Sequence, residues 1–155
     1  TVESRSMVAL DGDRIDAEFL KDYEKNAPYT SALYTTHSHT DENPRVRLVF
    51  PLTRDVTSEE YVAVARYLAQ ALGMDYFDEC SYQPNQLMYW PSTPSNGVFV
   101  YKETDKDWLD PDEILSADFR LHRGRARQIQ PASKKCRTRL KKKVWSVFST
   151  GFTSL

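Results

Sequence analysis

The sequence predicts an α+β fold in which helices cover one face of a largely antiparallel sheet. Three observations lead there. Short runs rich in aromatic and β-branched residues recur between turn residues. Two segments repeat apolar residues at helical spacing. Taken along the chain, the elements follow the order βαββαββ with no internal repeat.

Arg5 to Leu10 reads as the first strand, ended by Asp11-Gly12-Asp13-Arg14. Asp16 to Lys25 follows as a short helix, with Phe19, Leu20 and Tyr23 at helical spacing and Pro28 as its stop. Tyr29 to Thr36 is the second strand, and the polar loop His37 to Pro44 leads to the third, Arg45 to Phe50, stopped by Pro51. Thr57 to Leu72 carries the clearest helix signal. Thr57 and Glu60 form a capping box, apolar residues recur at 61, 64, 65, 68, 71 and 72, and Gly73 ends the run. Leu87 to Trp90 and Val98 to Tyr101 read as two further strands joined through Pro91 to Gly97. Pro111 to Leu115 begins a last helix capped by Asp110.

A chain of 155 residues with 40% hydrophobic and 12% aromatic content can bury a real core, which excludes a disordered protein. No apolar run reaches membrane-spanning length, and the first residues lack a secretory pattern. The start at Thr1 reads as trimmed or fragmentary. Two cysteines, Cys80 and Cys136, are too few for a disulfide framework and form no CxxC pair, so a reducing, cytoplasmic setting is expected. The net charge of −1 hides a division. Of 21 lysines and arginines, 11 fall in residues 116–155, against one of the 22 acidic residues. The expected organisation is therefore a folded body over 1–115 and an irregular basic tail over 116–155.

Asp11-Gly12-Asp13 is the most informative motif. Side chains two apart on a strand share a face, so both carboxylates converge and repel unless a proton or cation lies between them. Hard divalent ions take such oxygen donors, whereas paired acids in a solvated turn are the plainer alternative. Arg45 and Arg47 share a face of the third strand and suit phosphate oxygens, or else form an outer polar face. His37 and His39 sit in a hydroxyl-rich loop, and HxH without further ligands at zinc spacing does not make a zinc site. Asp75 to Cys80 adds a second acidic cluster, read alone as an ordinary helix-to-strand turn. Tyr82, Tyr89 and Trp90 are candidates for base stacking or for the core.

Taken in order, these segments resemble the archaeo-eukaryotic primase (primase-polymerase) superfamily, and more narrowly the virulence-associated E-type primase domain of phage and plasmid replication proteins. Met7-Val8-Ala9-Leu10-Asp11-Gly12-Asp13 matches the first motif, and Phe77-Asp78 matches the third. The narrower group is matched by Tyr34 to Thr40, Pro44 to Leu52, Leu87 to Ser92 and Trp108 to Glu113. The second motif, Ser-x-His, registers either on Thr35-Thr36-His37 or on the following strand, where Arg47 takes the histidine's place. Gln86 stands where related primases often carry arginine.

The resemblance implies a catalytic core related to the RNA-recognition fold and template-directed nucleotidyl transfer by a two-metal mechanism with Mg²⁺ or Mn²⁺. It assigns Asp11, Asp13 and Asp78 to metal and catalysis. His37 or Arg47, with Arg45, His39 and Gln86, would hold the incoming nucleotide. Its partners would be a single-stranded DNA template, nucleoside triphosphates and a helicase module elsewhere in the full-length protein, in a bacterial or phage-infected cytoplasm. The alternatives are a rolling-circle initiator nuclease using His37-Ser38-His39, or a non-catalytic DNA-binding module.

The resemblance ends after Leu115. Codons compatible with Lys141 to Leu155, shifted by one base, spell Lys-Gly-Leu-Val-Gly-Val-Phe-His-Arg-Val-Tyr-Val-Ile, close to the segment with which relatives continue. The expectation is a frameshift near residues 116–119. A nucleic-acid-binding extension around Arg137, Arg139 and Lys141 to Lys143 is the competing one.

Overall fold

The computed structural model describes residues 2–122. Its elements are β1 (Arg5–Gly12), α1 (Ala17–Asn26), β2 (Ser31–Thr35), β3 (Val46–Val56), α2 (Ser58–Leu72), β4 (Tyr101–Thr104) and α3 (Pro111–His122), with 3-10 turns at Met74–Tyr76 and Glu79–Tyr82 between α2 and β4. The strands form one antiparallel sheet in the order β1-β3-β2-β4. The α+β class is thus as expected, whereas the order along the chain is βαββαβα.

The sheet has one apolar side. Leu10, Leu48 and Leu33 lie opposite one another across β1, β3 and β2, and all three are fully buried. Val8, Val46 and Phe50 extend this surface. Onto it pack Tyr61, Val64 and Leu68 of α2 and Tyr23 of α1, whose hydroxyl donates to Ser31 Oγ at 2.7 Å. Ile114 brings α3 to the same core, and Leu109, just before the helix, joins it. All three helices therefore cover the same face.

Local chemistry explains the ends of α2. Thr57 Oγ1 accepts from the Glu60 amide at 3.3 Å, and the Glu60 carboxylate accepts from the Thr57 amide at 2.8 Å. Gly73 follows at φ 109, a left-handed backbone that favours glycine. Thr57→Ala should cost about 1 kcal/mol, read from urea unfolding, because one amide of the first turn loses its acceptor.

Four expectations are corrected. β3 does not stop at Pro51 but runs to Val56. Its register with β2 ends at Val49, so Pro51 has a strand partner only on the β1 side, and a missing N–H is tolerated on the opposite side, where β2 no longer pairs. Leu87 to Trp90 forms no strand; the Tyr89 carbonyl accepts from Arg47, and that of Gln86, just before the run, from Arg5. The last strand begins at Tyr101 rather than spanning Val98 to Tyr101. The final helix continues past Leu115 to His122, through the point where a frame change was expected. Residues 123–155, including Lys141 to Lys143, lie outside the described residues. No helix among those described is long and apolar enough to cross a membrane.

Candidate functional site

Because alternate strand residues face opposite ways, the leucine row beneath the helices has a counterpart on the open face. Asp11 of β1 pairs with Arg47 of β3, Arg47 with Tyr34 of β2, and Tyr34 with Tyr101 of β4. A carboxylate, a guanidinium and two phenols thus cross the whole sheet in one row.

At its β1 end the row becomes a double ion pair. Arg47 Nη2 lies 3.2 Å from Asp11 Oδ2, and Arg45 Nη1 lies 2.7 Å from Asp13 Oδ1. The Asp-Gly-Asp of one strand is matched, acid for base, by the Arg-Val-Arg of its neighbour. Gly12 between the acids faces the core, where a Cβ would meet Ile15 Cγ1 at 2.7 Å and Val46 Cγ2 at 3.0 Å. Glycine therefore lets β1 end tightly on the core while both carboxylates face away.

Arg47 lies on the helix-free face, yet its side chain is only 9% exposed. Its cover is the irregular segment after Gln83. Arg47 Nη1 donates to the Tyr89 carbonyl at 2.7 Å, and Arg47 Cζ sits 6.0 Å from the Tyr34 ring centroid. Arg47 Nε is buried without a hydrogen-bond partner. A buried donor without an acceptor is costly and marks a place where an anion would be favoured.

Asp78 reaches the site through the backbone. Phe77 bridges Gly12 in antiparallel fashion, and the Asp78 amide donates to the Asp11 carbonyl at 2.9 Å. The Asp11 amide in turn donates to Ser81 Oγ at 2.8 Å. The segment from Phe77 to Ser81 is thus clipped to the outer edge of β1. Asp78 Oδ1 accepts from the Cys80 amide at 3.1 Å.

Burial, first of all, raises the Asp11 carboxyl above its ordinary value. The Arg47 charge opposes this, and the charges of Asp13 and Asp78 add to the rise. Between the ordinary carboxylate pKa and this raised one, the folded protein holds a proton that the unfolded chain has lost. Stability should therefore fall as pH rises through that window, and be insensitive to Asp11 on either side. Urea midpoints measured across acidic pH, with Asp11→Asn flattening the slope, check this.

Among the described residues, no group of three or more His, Cys, Asp or Glu side chains is assembled for a metal ion. The donor chemistry nonetheless fits a hard divalent cation. A half-buried carboxylate under pressure from two like charges is what such an ion relieves, with Asp11 and Asp13 as the nearest pair.

The two histidines part company. His39 is 8% exposed, and its Nδ1 accepts from the Arg45 amide at 3.2 Å, which fixes the loop entering β3. His37 is exposed, with Nδ1 3.3 Å from Ser92 Oγ. Gln86 enters the hydrogen bonding through its carbonyl, which accepts from Arg5 Nη2 at 3.2 Å. Of the stacking candidates, Tyr82 is buried in the core, whereas Tyr89 is exposed and Trp90 is 91% exposed. Tyr34 and Ser81 escaped sequence reasoning. Tyr34 could have been found by alternation across from Arg47, but Ser81 carries no such signal.

The family model described as VapE N-terminal domain matches residues 1–122. No curated protein and no solved structure matches the chain.

Proposed function

This chain belongs to the VapE N-terminal domain family, and from that premise we propose that it is the nucleotidyl-transfer domain of a phage or plasmid replication protein, a DNA primase-polymerase. The observation that carries the proposal is the pairing of Asp11 with Arg47 on adjacent strands, and of Asp13 with Arg45 just beyond the ends of those strands. Each guanidinium that suits a triphosphate is stored against a carboxylate that suits a metal.

Asp11 and Asp13 would hold Mg²⁺ or Mn²⁺, with Asp78 alongside. Such ions, when bound, favour attack by a 3′-hydroxyl and departure of pyrophosphate. The chain's own residues bind and orient. Arg47 and Arg45 exchange their carboxylate partners for phosphate oxygens, and the unpaired Arg47 Nε gains an acceptor. Exposed His37 adds a contact at the loop, while buried His39 holds Arg45's backbone in place. Gln86 has no charge to offer a phosphate and contributes at most a hydrogen bond.

Part of the topology supports a core related to the RNA-recognition fold. In the order βαββα, β1, β3 and β2 lie side by side, and Phe77 bridges the free edge of β1. That edge is where a fourth strand of such a fold would lie. Here it is a single bridge, and β4 sits on the opposite edge beside β2.

The test is incubation with single-stranded DNA, a primer and either NTPs or dNTPs, with Mg²⁺ or Mn²⁺. Metal-dependent chain extension is expected. Cleavage leaving a tyrosine-linked DNA end, or no extension with DNA bound, would overturn the proposal in favour of a rolling-circle initiator or a binding module. The histidines speak against the initiator, since their rings are held by different partners, Ser92 and Arg45.

A further inference from the structure

The helix-free face of the sheet has a use beyond the double ion pair. Tyr34 and Tyr101 are register partners on β2 and β4. Directly opposed residues in an antiparallel pair hold their Cβ atoms about 5 Å apart, so the two rings stand as neighbours. Tyr101 is 54% exposed, at the sheet edge, and its hydroxyl donates to Glu103 Oε2 at 3.0 Å. The next row on this face is Ala9, Val49, Ala32 and Glu103, and beside it Tyr101 is exposed while Tyr34 is half-buried with the Arg47 guanidinium over its ring.

We infer that Tyr34 and Tyr101 form a stacking site for the bases of single-stranded nucleic acid on the open face of the sheet, in line with Arg47 and Asp11. Charge and shape decide the occupant. Aromatic rings accept a base of any identity, and Arg47 in the same row, once it leaves Asp11 as the proposed function requires, supplies attraction for the backbone. A docked protein would need broad apolar relief, and this face offers mainly alanines, phenols, an arginine and a glutamate, with Val49 and Met7 as its larger apolar side chains. The inference rests on the nucleotidyl-transfer reading for its purpose, since it places a template strand beside the candidate metal site. It does not rest on that reading for its test.

The experiment measures binding of a fluorescein-labelled ten-residue oligo(dT) to the whole chain by anisotropy, with EDTA present. About 0.3 M salt suppresses the contribution of the lysines and arginines beyond residue 122. Tyr34→Leu and Tyr101→Leu should each weaken binding about tenfold, the loss expected for one stacked base. Tyr34→Phe and Tyr101→Phe should stay within about twofold of the original protein, because stacking needs the ring and not the hydroxyl. Tyr34 is half-buried, so if its leucine variant fails to fold, exposed Tyr101 decides alone.

Unchanged affinity in the folded leucine variants would overturn the inference, as would equal losses for phenylalanine and leucine. If the chain extends primers while its leucine variants bind normally, the stacking site fails and the proposed activity stands. If binding falls tenfold but no extension occurs, the stacking site stands and the activity fails.

Discussion

Asp11→Ala is expected to lower metal-dependent nucleotide addition by about a thousandfold, the scale of about 4 kcal/mol of lost transition-state stabilisation at a metal site. The same variant should keep its affinity for single-stranded DNA within about threefold, since Asp11 repels rather than binds phosphate. Its stability should change by no more than about 1–2 kcal/mol, because two effects oppose each other. Arg47 loses one ion-pair partner but keeps the Tyr89 carbonyl, while Asp13 and Asp78 lose a like-charged neighbour. Primer extension, anisotropy and urea unfolding on one preparation separate these outcomes. Full extension by a folded Asp11→Ala protein would remove Asp11 from the chemistry.

Leu48→Ala should carry the largest stability cost, about 3 kcal/mol. Leu48 is fully buried near the start of β3, flanked by Leu10 and Leu33 in the adjoining strands and part of the same core as Val64 and Leu68 of α2. Neighbours on both sides belong to hydrogen-bonded strands, so the cavity cannot collapse easily. Leu48 also follows Arg47 in the chain, and softening β3 there frees the row above it. Urea unfolding should show the loss in the midpoint with an unchanged slope. Activity per folded molecule should persist well below the lowered melting temperature.

Some of this was legible in the chain. The capping box and period of α2 and the placing of Arg45 and Arg47 on one side follow from local rules, and the helix and the two ion pairs show them. Asp11 and Asp13 stood out for the same reason. What failed locally was set by distant partners. The run Leu-Met-Tyr-Trp at 87–90 has strand composition, but Arg5 and Arg47, some 80 and 42 residues earlier, hold the carbonyls at Gln86 and Tyr89. Pro51 looks like a stop until the register shows that β2 has already ended beside it. The clip between Asp78 and Asp11 joins residues 67 apart, so periodicity could not suggest it, and only the motif resemblance did. The burial of Arg47 on an open face was illegible for the same reason.

The most direct test of the account is Mn²⁺ titrated into ¹⁵N-labelled protein in the presence of a non-hydrolysable nucleoside triphosphate. Paramagnetic broadening should begin at the amides of Asp11, Gly12 and Asp13, reach Asp78 across the β1 edge, and be lost in Asp11→Ala. Broadening centred elsewhere, at the exposed acids Asp41 and Glu42 for example, with Asp11 to Asp13 unaffected, would contradict it.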